Sequence, residues 1–415
     1  MVIKECIILA GGLGTRLRDV VPDLAKCMAP VAGKPFLTHV IRYLFSQGIE
    51  KFIFSLGYKH EIIEEFLNDQ FPTLDYQISV EEEPLGTGGA ILFACRRVTE
   101  PNVVVVNGDT IFKADLQEAT DFHIENHAEC TLLLKPMQDF DRYGVVELET
   151  DYTVKKFKEK QHFQTGDINA GVYILDIEGL LDKEFPEKFS FEKDYFEKYY
   201  PEKKIFGVIQ DSYFIDIGIP ADLQRAQEEL KQIPLNLEFV NSEWTLFLDR
   251  DGVINYEKEN DYILNWNEFE FYPGVIEAIP LLSKKFGTII IISNQRGVGR
   301  GLMTEDDLLD IQRQMKNKME QDGGRIDKIY YCTATDAKHF CRKPNPGMAL
   351  QAVKDFPTID LSRTIMTGNK LSDMQFGKNA GTYTVYLKTT HPHQVIPHPD
   401  IDLAFDSLID FAKAL

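Results

Sequence analysis

The stretch that decides the fold of the first half is Leu9-Ala-Gly-Gly-Leu-Gly-Thr-Arg-Leu17. It follows the short apolar run Lys4–Leu9, which is typical of a buried parallel strand that enters a glycine loop. Because glycines lack side chains, backbone N–H groups in such a loop can approach phosphate groups closely. Arg16 offers a forked donor for phosphate oxygens, and Lys26 offers a compact positive charge. The loop therefore predicts a triphosphate site.

Apolar runs and helical patterns alternate through both halves of the chain. After Lys4–Leu9, strands are predicted at Lys51–Ser55, Asn102–Val106, Cys130–Leu134 and Val172–Leu175, and helices at Thr38–Gln47 and Glu61–Gln70. A second series begins at Thr245–Leu248. Its later strands are predicted at Thr288–Ile292, Ile326–Tyr331, Thr364–Met366 and Thr384–Leu387, and its helices at Val275–Lys285 and Thr304–Gln321. Each series predicts an α/β domain.

The two series are separated by Lys231–Glu243, a segment that contains Pro234 and shows no clear periodicity. The chain of 415 residues is also too long for one ordinary domain. We therefore predict two domains, residues 1–235 and residues 236–415.

Composition argues against several classes of protein. No apolar run reaches the length of about 18 residues that a membrane span needs, and Met1–Ala10 lacks the apolar centre of a secretory signal. The formal net charge is −20 and there is no basic run, which argues against nucleic acid or a membrane as the partner. Six scattered cysteines do not suggest a disulfide framework, and they favour the reducing cytoplasm. A homo-oligomer is compatible with the sequence.

The glycine loop is the first of a series of ordered motifs. After Lys26 come Gly33-Lys-Pro35, Glu82-Glu-Pro-Leu-Gly-Thr-Gly88, Asn107-Gly-Asp109, Glu159-Lys160, Asn169-Ala-Gly171 and Asp216-Ile-Gly218. In this order, over about residues 1–230, the chain resembles the sugar-1-phosphate nucleotidyltransferase family. The resemblance implies a Rossmann-like mixed sheet. Ala25 departs from the proline that is usual in the family, and we expect this change to alter loop stiffness more than chemistry.

The same resemblance implies roles for single residues. Lys26 and Arg16 would be catalytic, and the nucleotide would be bound by Leu9, Ala10, Gly11, Gly12, Gly14, Thr15, Gly86, Thr87 and Asp109. Asp109 and Asp216 would hold Mg²⁺, and the sugar phosphate would be bound by Gly144, Glu159, Lys160 and Asn169. Taken alone, the two aspartates also fit solvated turns, and Glu159 and Lys160 also fit a charged run.

The stretch Glu83–Gly88 resembles the guanylyltransferase branch, so we expect GTP as the nucleotide donor.

The second half opens with Leu246-Phe-Leu-Asp-Arg-Asp-Gly-Val253, an apolar strand that ends in Asp-x-Asp-Gly. Residues two apart in an extended chain project to the same face, so Asp249 and Asp251 can address one phosphate together. One carboxylate can then act as the nucleophile and the other as general acid and base. Taken alone, Asp-x-Asp-Gly is also common in calcium loops and turns.

Later motifs favour a phosphatase. They are Ser293-Asn-Gln-Arg-Gly-Val-Gly-Arg-Gly301, Cys341-Arg-Lys-Pro-Asn-Pro-Gly-Met348 and Gly368-Asn-Lys-Leu-Ser-Asp373. Over about residues 243–395 they resemble the haloacid dehalogenase phosphatases, and more narrowly the heptose bisphosphate and histidinol-phosphate phosphatases. The resemblance implies Asp249 as the nucleophile, Asp251 as acid and base, and Ser293 and Lys343 as groups that stabilise the transferring phosphoryl group. Substrate would be bound by Asn294, Arg300 and Arg342, and Mg²⁺ by Asp249, Asp251, Asn369 and Asp373. Arg300 and Lys343, taken singly, also fit solvated surface residues.

Two departures from the close relatives are visible. Asn369 stands where they have aspartate, which predicts weaker metal affinity because an amide carries no charge. Of their zinc loop only Cys332, His339 and Cys341 remain, and since a closed zinc site needs four ligands, the sequence argues against zinc. Few residues lie between Asp249 and the next predicted strand, so we also expect a Rossmann-like domain without a cap.

Together the two resemblances imply a bifunctional enzyme of heptose activation. The second domain would remove the 7-phosphate of D-glycero-D-manno-heptose 1,7-bisphosphate, and the first would couple the 1-phosphate to GTP and release pyrophosphate. Two alternatives stay open. The sugar could be mannose 1-phosphate or another hexose 1-phosphate, or the phosphatase domain could be a weakened binding or scaffold module, as Asn369 suggests.

Overall fold

A computed structural model describes residues 3–12, 24–57, 59–258 and 261–415. The chain divides into two compact units, Met1–Gln232 and Ile233–Leu415, and the predicted boundary after residue 235 lies close to this division. Both units are α/β, as predicted. Within the described ranges, no helix has both the length and the apolar character needed to cross a membrane.

Unit 1 is built around one mixed sheet. The strands of this unit are β1 (Glu5–Leu9), β2 (Pro30–Val31), β3 (Lys34–Pro35), β4 (Lys51–Leu56), β5 (Asp75–Val80), β6 (Asn102–Asn107), β7 (Thr110–Phe112), β8 (Cys130–Phe140), β9 (Val145–Leu148), β10 (Val154–Lys158), β11 (Phe163–Asp176), β12 (Ile205–Ile209) and β13 (Phe214–Asp216). Of these, β2 pairs with β3 and β7 pairs with β13 outside the main sheet. Its α-helices are α1 (Phe36–Ser46), α2 (His60–Gln70), α3 (Gly86–Cys95), α4 (Leu116–Glu125), α5 (Ile177–Leu181), α6 (Glu197–Tyr199) and α7 (Pro220–Glu229).

The order of the strands positions the first site. The sheet runs β10-β9-β11-β6-β1-β4-β5, with β8 beside β11 and β12 beside β8. Strands β1 and β6 are parallel neighbours, so their carboxyl ends meet, and the Gly108 N–H donates to the Leu9 carbonyl at 2.9 Å. In open α/β sheets ligands bind at this edge. A separate antiparallel pair, β7 and β13, places Asp216 opposite Thr110 and so beside Asp109.

Unit 2 contains a parallel sheet with the order β16-β15-β14-β17-β18-β19. Its strands are β14 (Thr245–Leu248), β15 (Thr288–Asn294), β16 (Lys328–Cys332), β17 (Thr364–Gly368), β18 (Tyr383–Leu387) and β19 (Leu403–Phe405). Its helices are α8 (Val275–Lys285), α9 (Arg296–Gly299), α10 (Glu305–Gln321), α11 (Gly347–Asp355), α12 (Leu371–Ala380) and α13 (Leu408–Ala414).

Both faces of this sheet are covered by helices. Leu246 and Leu248 pack into one apolar cluster, with residues of α8, α10 and α13. Phe247, between them, packs into a second cluster, with residues of α11 and α12. This alternation explains why the central strands are apolar throughout. From Asp249 to the start of β15, the described residues contain one short 3₁₀ turn, Trp266–Glu268, and α8, and this described segment forms no separate cap domain.

Candidate active sites

A pocket of about 820 Å³ lies where β1 and β6 end. The predicted nucleotide-binding residues that line it are Leu9, Ala10, Gly11, Gly12, Gly86, Thr87 and Asp109, together with Lys26. Gly14, Thr15 and Arg16 lie outside the described residues. Ser55, Gly57, Glu81 and Ala90 also line the pocket and were not predicted. The first three lie at the ends of β4 and β5 and Ala90 lies in α3, and none of them belongs to a motif.

The wall formed by the start of α3 has a fixed backbone. Gly86 has φ +75°, and a Cβ atom there would lie 2.5 Å from the Phe189 carbonyl oxygen, so only glycine fits. The Thr87 hydroxyl accepts a hydrogen bond from the Phe191 N–H at 2.9 Å, and a Glu81 carboxylate oxygen accepts from the Leu85 N–H at 2.9 Å. These contacts hold the loop before α3 in place.

Lys26, Asp109 and Asp216 come from distant parts of the sequence and meet at one end of the pocket. The Lys26 ammonium forms an ion pair with Asp109 and lies 3.4 Å from an Asp216 oxygen. The same Asp216 oxygen accepts from the Gly218 N–H at 2.7 Å. Two carboxylates on either side of a lysine form a site that can hold a divalent cation and a phosphate together. Burial, with the nearby Asp109 carboxylate, raises the pKa of the Cys27 thiol to about 12, so Cys27 stays a neutral wall residue.

Arg142 and Tyr143 join this cluster and were not predicted. The Tyr143 hydroxyl donates to Asp216 at 3.2 Å, and the Arg142 guanidinium lies 3.7 Å from the same carboxylate while it pairs with Asp222. They directly precede the predicted Gly144, but no local pattern in the sequence marks them. They bring positive charge and a hydroxyl to the side of Asp216.

The predicted sugar-phosphate residues are less closely grouped. Asn169 accepts from the Gly171 N–H and donates to the Tyr173 hydroxyl, both at 3.0 Å. Gly144 packs against the Lys158 backbone, since a Cβ atom there would lie 2.5 Å from the Lys158 carbonyl oxygen. Glu159 and Lys160 follow β10, are exposed, and do not line the pocket. Their sugar-binding role stays a prediction.

Lys160 can be tested against a neighbouring lysine of the same charged run. If Lys160 binds the sugar phosphate, Lys160→Met should raise the KM for the sugar 1-phosphate by about 10-fold to 100-fold, the value of one charge-assisted hydrogen bond. The matched control is Lys155→Met, because Lys155 is exposed and pairs only loosely with Glu149, at 3.9 Å. Steady-state kinetics that show equal, small effects for both variants would assign Lys160 to the solvated run.

The backbone at Ala25 has a conformation that proline, the usual residue of the family at this position, could also adopt. Ala25 has φ −62° and precedes a 3₁₀ turn, Lys26–Met28. Proline fixes φ near this value. The presence of alanine instead of proline at position 25 therefore does not require a different backbone conformation before the Lys26 turn.

In unit 2, Lys343 lies between two buried carboxylates. Its ammonium is 2.8 Å from Asp249 and 2.7 Å from Asp373, and it donates to the Ile292 carbonyl at 2.9 Å. Burial raises the pKa of the Asp249 carboxyl above its ordinary value, although the positive charge of Lys343 opposes this. Burial opposes the charged form of Lys343 as well, but Asp249 and Asp373 hold its pKa above the ordinary value. Lys343 is therefore a permanent cation at the predicted nucleophile.

Asn294 holds this lysine in place. Its amide oxygen accepts from the Lys343 N–H, and its amide nitrogen donates to the Lys343 carbonyl, both at 3.1 Å. The prediction made Asn294 a substrate ligand. In the structure each polar group of its side chain forms one hydrogen bond with the backbone of Lys343, and its role as a substrate ligand stays a prediction.

Asp251 is surrounded by donors. Arg250 contacts both of its oxygens, at 2.9–3.2 Å, and further hydrogen bonds come from Asn255 at 3.0 Å and Gln295 at 2.8 Å. Burial raises the pKa of Asp251, but Arg250 and the other donors outweigh burial and hold the pKa below its ordinary value. The Gln295 amide also donates to the Ser293 hydroxyl at 2.7 Å. Gln295 thus links Asp251 to Ser293, a connection that the motif alone did not reveal.

The predicted metal ligands Asn369 and Asp373 lie at the end of β17. Asp373 accepts from the N–H groups of Asn369 and Lys370, at 3.2 and 3.0 Å. The Asn369 amide nitrogen donates to Thr390 and Glu257, whereas its oxygen is buried without a hydrogen-bond partner among the described residues. Carboxylate and amide oxygens are the ligands that Mg²⁺ prefers, so these residues fit the ion.

Three arginines of unit 2, Arg296, Arg300 and Arg342, lie near one another. Arg300 is exposed, with its guanidinium 5.8 Å above the Tyr262 ring, and Arg342 donates to the Thr335 carbonyl at 2.7 Å. Burial, together with the positive charges of Arg296 and Arg300, lowers the pKa of Arg342. Like charges repel, so such a group is stable only beside an anion or solvent. Arg296 was not predicted.

Among the cysteines, one pair is joined, which was not predicted from the sequence. Cys332 and Cys341 form a disulfide with their Cα atoms 5.8 Å apart, because the loop after β16 turns back towards the end of that strand. The side-chain ligand atoms of Cys332, His339 and Cys341 lie within 4.8 Å of one another, but zinc binds cysteine as the free thiolate, and both of these sulfurs are joined in the disulfide. The cysteines Cys6, Cys27, Cys95 and Cys130 are free and buried.

Comparisons with known proteins match the two units to two different families. A family model described as nucleotidyl transferase matches residues 5–233, and one described as polynucleotide kinase 3 phosphatase matches residues 244–411. The D-glycero-alpha-D-manno-heptose 1-phosphate guanylyltransferase of Aneurinibacillus thermoaerophilus is 51% identical over 55% of this chain and 98% of its own length. The D-glycero-alpha-D-manno-heptose-1,7-bisphosphate 7-phosphatase of Mycobacterium bovis is 34% identical over 43% of this chain and 94% of its own.

A solved structure agrees with the first of these matches. The crystal structure of HddC from Yersinia pseudotuberculosis is 37% identical, covers 55% of this chain and 100% of its own, and has a TM-score of 0.51. The two resemblances predicted from the motifs are therefore confirmed. The chain belongs to the nucleotidyl transferase family, and it is an enzyme in which such a domain is fused to a phosphatase of the haloacid dehalogenase type.

Proposed function

We propose that the chain converts D-glycero-α-D-manno-heptose 1,7-bisphosphate into GDP-heptose. Unit 2 hydrolyses the 7-phosphate, and unit 1 transfers GMP from GTP to the remaining 1-phosphate and releases pyrophosphate. The observation that carries the proposal is that the two relatives, each matched over nearly its whole length, are named for consecutive reactions. The product of the second unit is then the substrate of the first.

The buried carboxylates of unit 2 support hydrolysis through an aspartyl phosphate. Asp249 attacks the 7-phosphorus, and the bond from phosphorus to the sugar oxygen breaks. Lys343 and Ser293 stabilise the phosphoryl oxygens, and Asp251 protonates the departing sugar oxygen. Arg250 holds the pKa of Asp251 below its ordinary value and so favours the ionised form, and this carboxylate must gain a proton before it can act as the acid. Asp251 then takes a proton from the water that releases inorganic phosphate.

The lysine between two aspartates in unit 1 supports an in-line displacement at phosphorus. A 1-phosphate oxygen of the sugar attacks the α-phosphorus of GTP, and the bond to the pyrophosphate oxygen breaks. Lys26 lies where it can neutralise charge on the α-phosphate. Mg²⁺, when bound by Asp109 and Asp216 here, or by Asp249, Asp251, Asn369 and Asp373 in unit 2, supplies further positive charge to the phosphate oxygens.

The nucleotide and the sugar are tested in one assay. Purified chain is given heptose 1-phosphate with GTP, ATP, CTP or UTP in turn, and pyrophosphate release is measured. We expect kcat/KM to be about 100-fold or more higher for GTP, since unpaired polar groups in the base site would reject the other bases. A preference for another triphosphate, or a higher kcat/KM for mannose 1-phosphate with GTP, would refute the assignment.

The proposed partners are small molecules, GTP and heptose phosphates. The proposed compartment is the cytoplasm, where GTP is supplied.

A further inference from the structure

Asn369 is the residue of the phosphatase site whose surroundings are least explained by the reaction. It is fully buried at the end of β17. Its amide nitrogen donates to the Thr390 hydroxyl at 2.8 Å and to a Glu257 carboxylate oxygen at 3.2 Å. A carboxylate can only accept hydrogen bonds, so the group that faces Glu257 must be the nitrogen. The chemistry of its neighbours therefore fixes which way the amide points.

The amide oxygen is left without a partner. It is buried and forms no hydrogen bond with any of the described residues. Gly252, which belongs to the Asp-x-Asp-Gly motif, packs against this amide, and a Cβ atom at that position would lie 2.0 Å from the Asn369 nitrogen. A buried carbonyl oxygen without a partner is costly unless another group binds it. Oxygen is also the ligand atom that Mg²⁺ requires.

Glu257 is itself held in place. Its second carboxylate oxygen pairs with the Lys370 ammonium, directly after Asn369. This ion pair offsets the negative charge of Glu257 and fixes the acceptor that faces the amide. Asn369, Glu257, Lys370 and Thr390 thus form one hydrogen-bonded unit behind the predicted metal ligands.

We propose that Thr390 and Glu257 are positioning residues that hold the Asn369 amide with its oxygen available to Mg²⁺. The proposal rests on the phosphatase half of the proposed function. An aspartate has two equivalent oxygens and needs no such orientation, whereas a rotated asparagine would present N–H donors to the cation. The two acceptors make an amide usable where close relatives have a carboxylate, and they favour asparagine over aspartate at this position.

The test is a double-mutant cycle read by Mg²⁺ binding. Thr390→Val removes the nearer acceptor without a change in charge, and Thr390→Ser keeps the hydroxyl as the matched control. Each is made with Asn369 and with Asn369→Asp, in a full chain whose first site has lost both predicted metal ligands through Asp109→Ala and Asp216→Ala, because an asparagine there could still coordinate the ion through its amide oxygen. The dissociation constant of Mg²⁺ alone is measured by calorimetry.

With Asn369, Thr390→Val should weaken Mg²⁺ binding by about 3-fold to 10-fold, the value of one hydrogen bond, and Thr390→Ser should bind as the parent does. With Asn369→Asp, Thr390→Val should change binding by less than about 2-fold, because either oxygen of the carboxylate can face the cation. Equal effects in the two backgrounds, or no effect with Asn369, would overturn the proposal. Since no sugar is present, the wrong heptose substrate would leave this result unchanged.

Discussion

Asp249→Asn is expected to abolish phosphate release from heptose 1,7-bisphosphate, with a loss in kcat of about 1,000-fold or more, because an amide cannot form the aspartyl phosphate. The substitution keeps the shape of the side chain, and Lys343 keeps Asp373 as a partner at 2.7 Å. The fold should therefore persist. The measurement is inorganic phosphate released by the purified variant.

The activity of unit 1 is an internal control for Asp249→Asn. Transfer of GMP to heptose 1-phosphate uses residues of unit 1 and should proceed at the wild-type rate. Phosphate release within about 10-fold of wild type would contradict a covalent mechanism through Asp249, because losing a nucleophile costs far more than that.

Lys26→Met is expected to have the converse effect. It removes the ammonium between Asp109 and Asp216 but keeps an unbranched side chain of similar length. The kcat for GMP transfer should fall by about 100-fold to 1,000-fold, the usual cost of losing one group that stabilises transition-state charge. Pyrophosphate release with saturating GTP and heptose 1-phosphate measures this loss.

The matched control is again Lys155→Met, which removes an exposed lysine of the same unit and should leave the rate unchanged. Phosphate release by unit 2 should also be unaffected in both variants. A Lys26→Met rate close to that of Lys155→Met would show that Lys26 is not needed for GMP transfer.

The central strands could be predicted because they are apolar on both faces. Lys51–Ser55 appears as β4 (Lys51–Leu56), and Thr245–Leu248 appears unchanged as β14. By contrast, Val172–Leu175 is only the buried end of β11, a strand of 14 residues. Its first half carries polar, partly exposed residues and is a strand because it pairs with β8. Such pairing depends on tertiary structure and leaves no apolar pattern in the sequence.

In the candidate sites, too, residues that lie in motifs could be predicted, whereas residues that act through tertiary contacts could not. Lys26 and Asp109 lie in motifs, and the structure brings them together with the distant Asp216. Tyr143 and Glu257 act through a single contact each with a predicted ligand, and no local pattern marks such residues. Their importance follows from which loops meet at the ends of the sheets.

Sequential action of the two units is tested most directly by a time course with the full chain, heptose 1,7-bisphosphate, GTP and Mg²⁺, followed by mass analysis of the products. We expect a heptose monophosphate to form first and GDP-heptose to follow, with one phosphate and one pyrophosphate released for each molecule made. A GDP-heptose that still carries the 7-phosphate, or phosphate release without any GDP-sugar, would contradict sequential action.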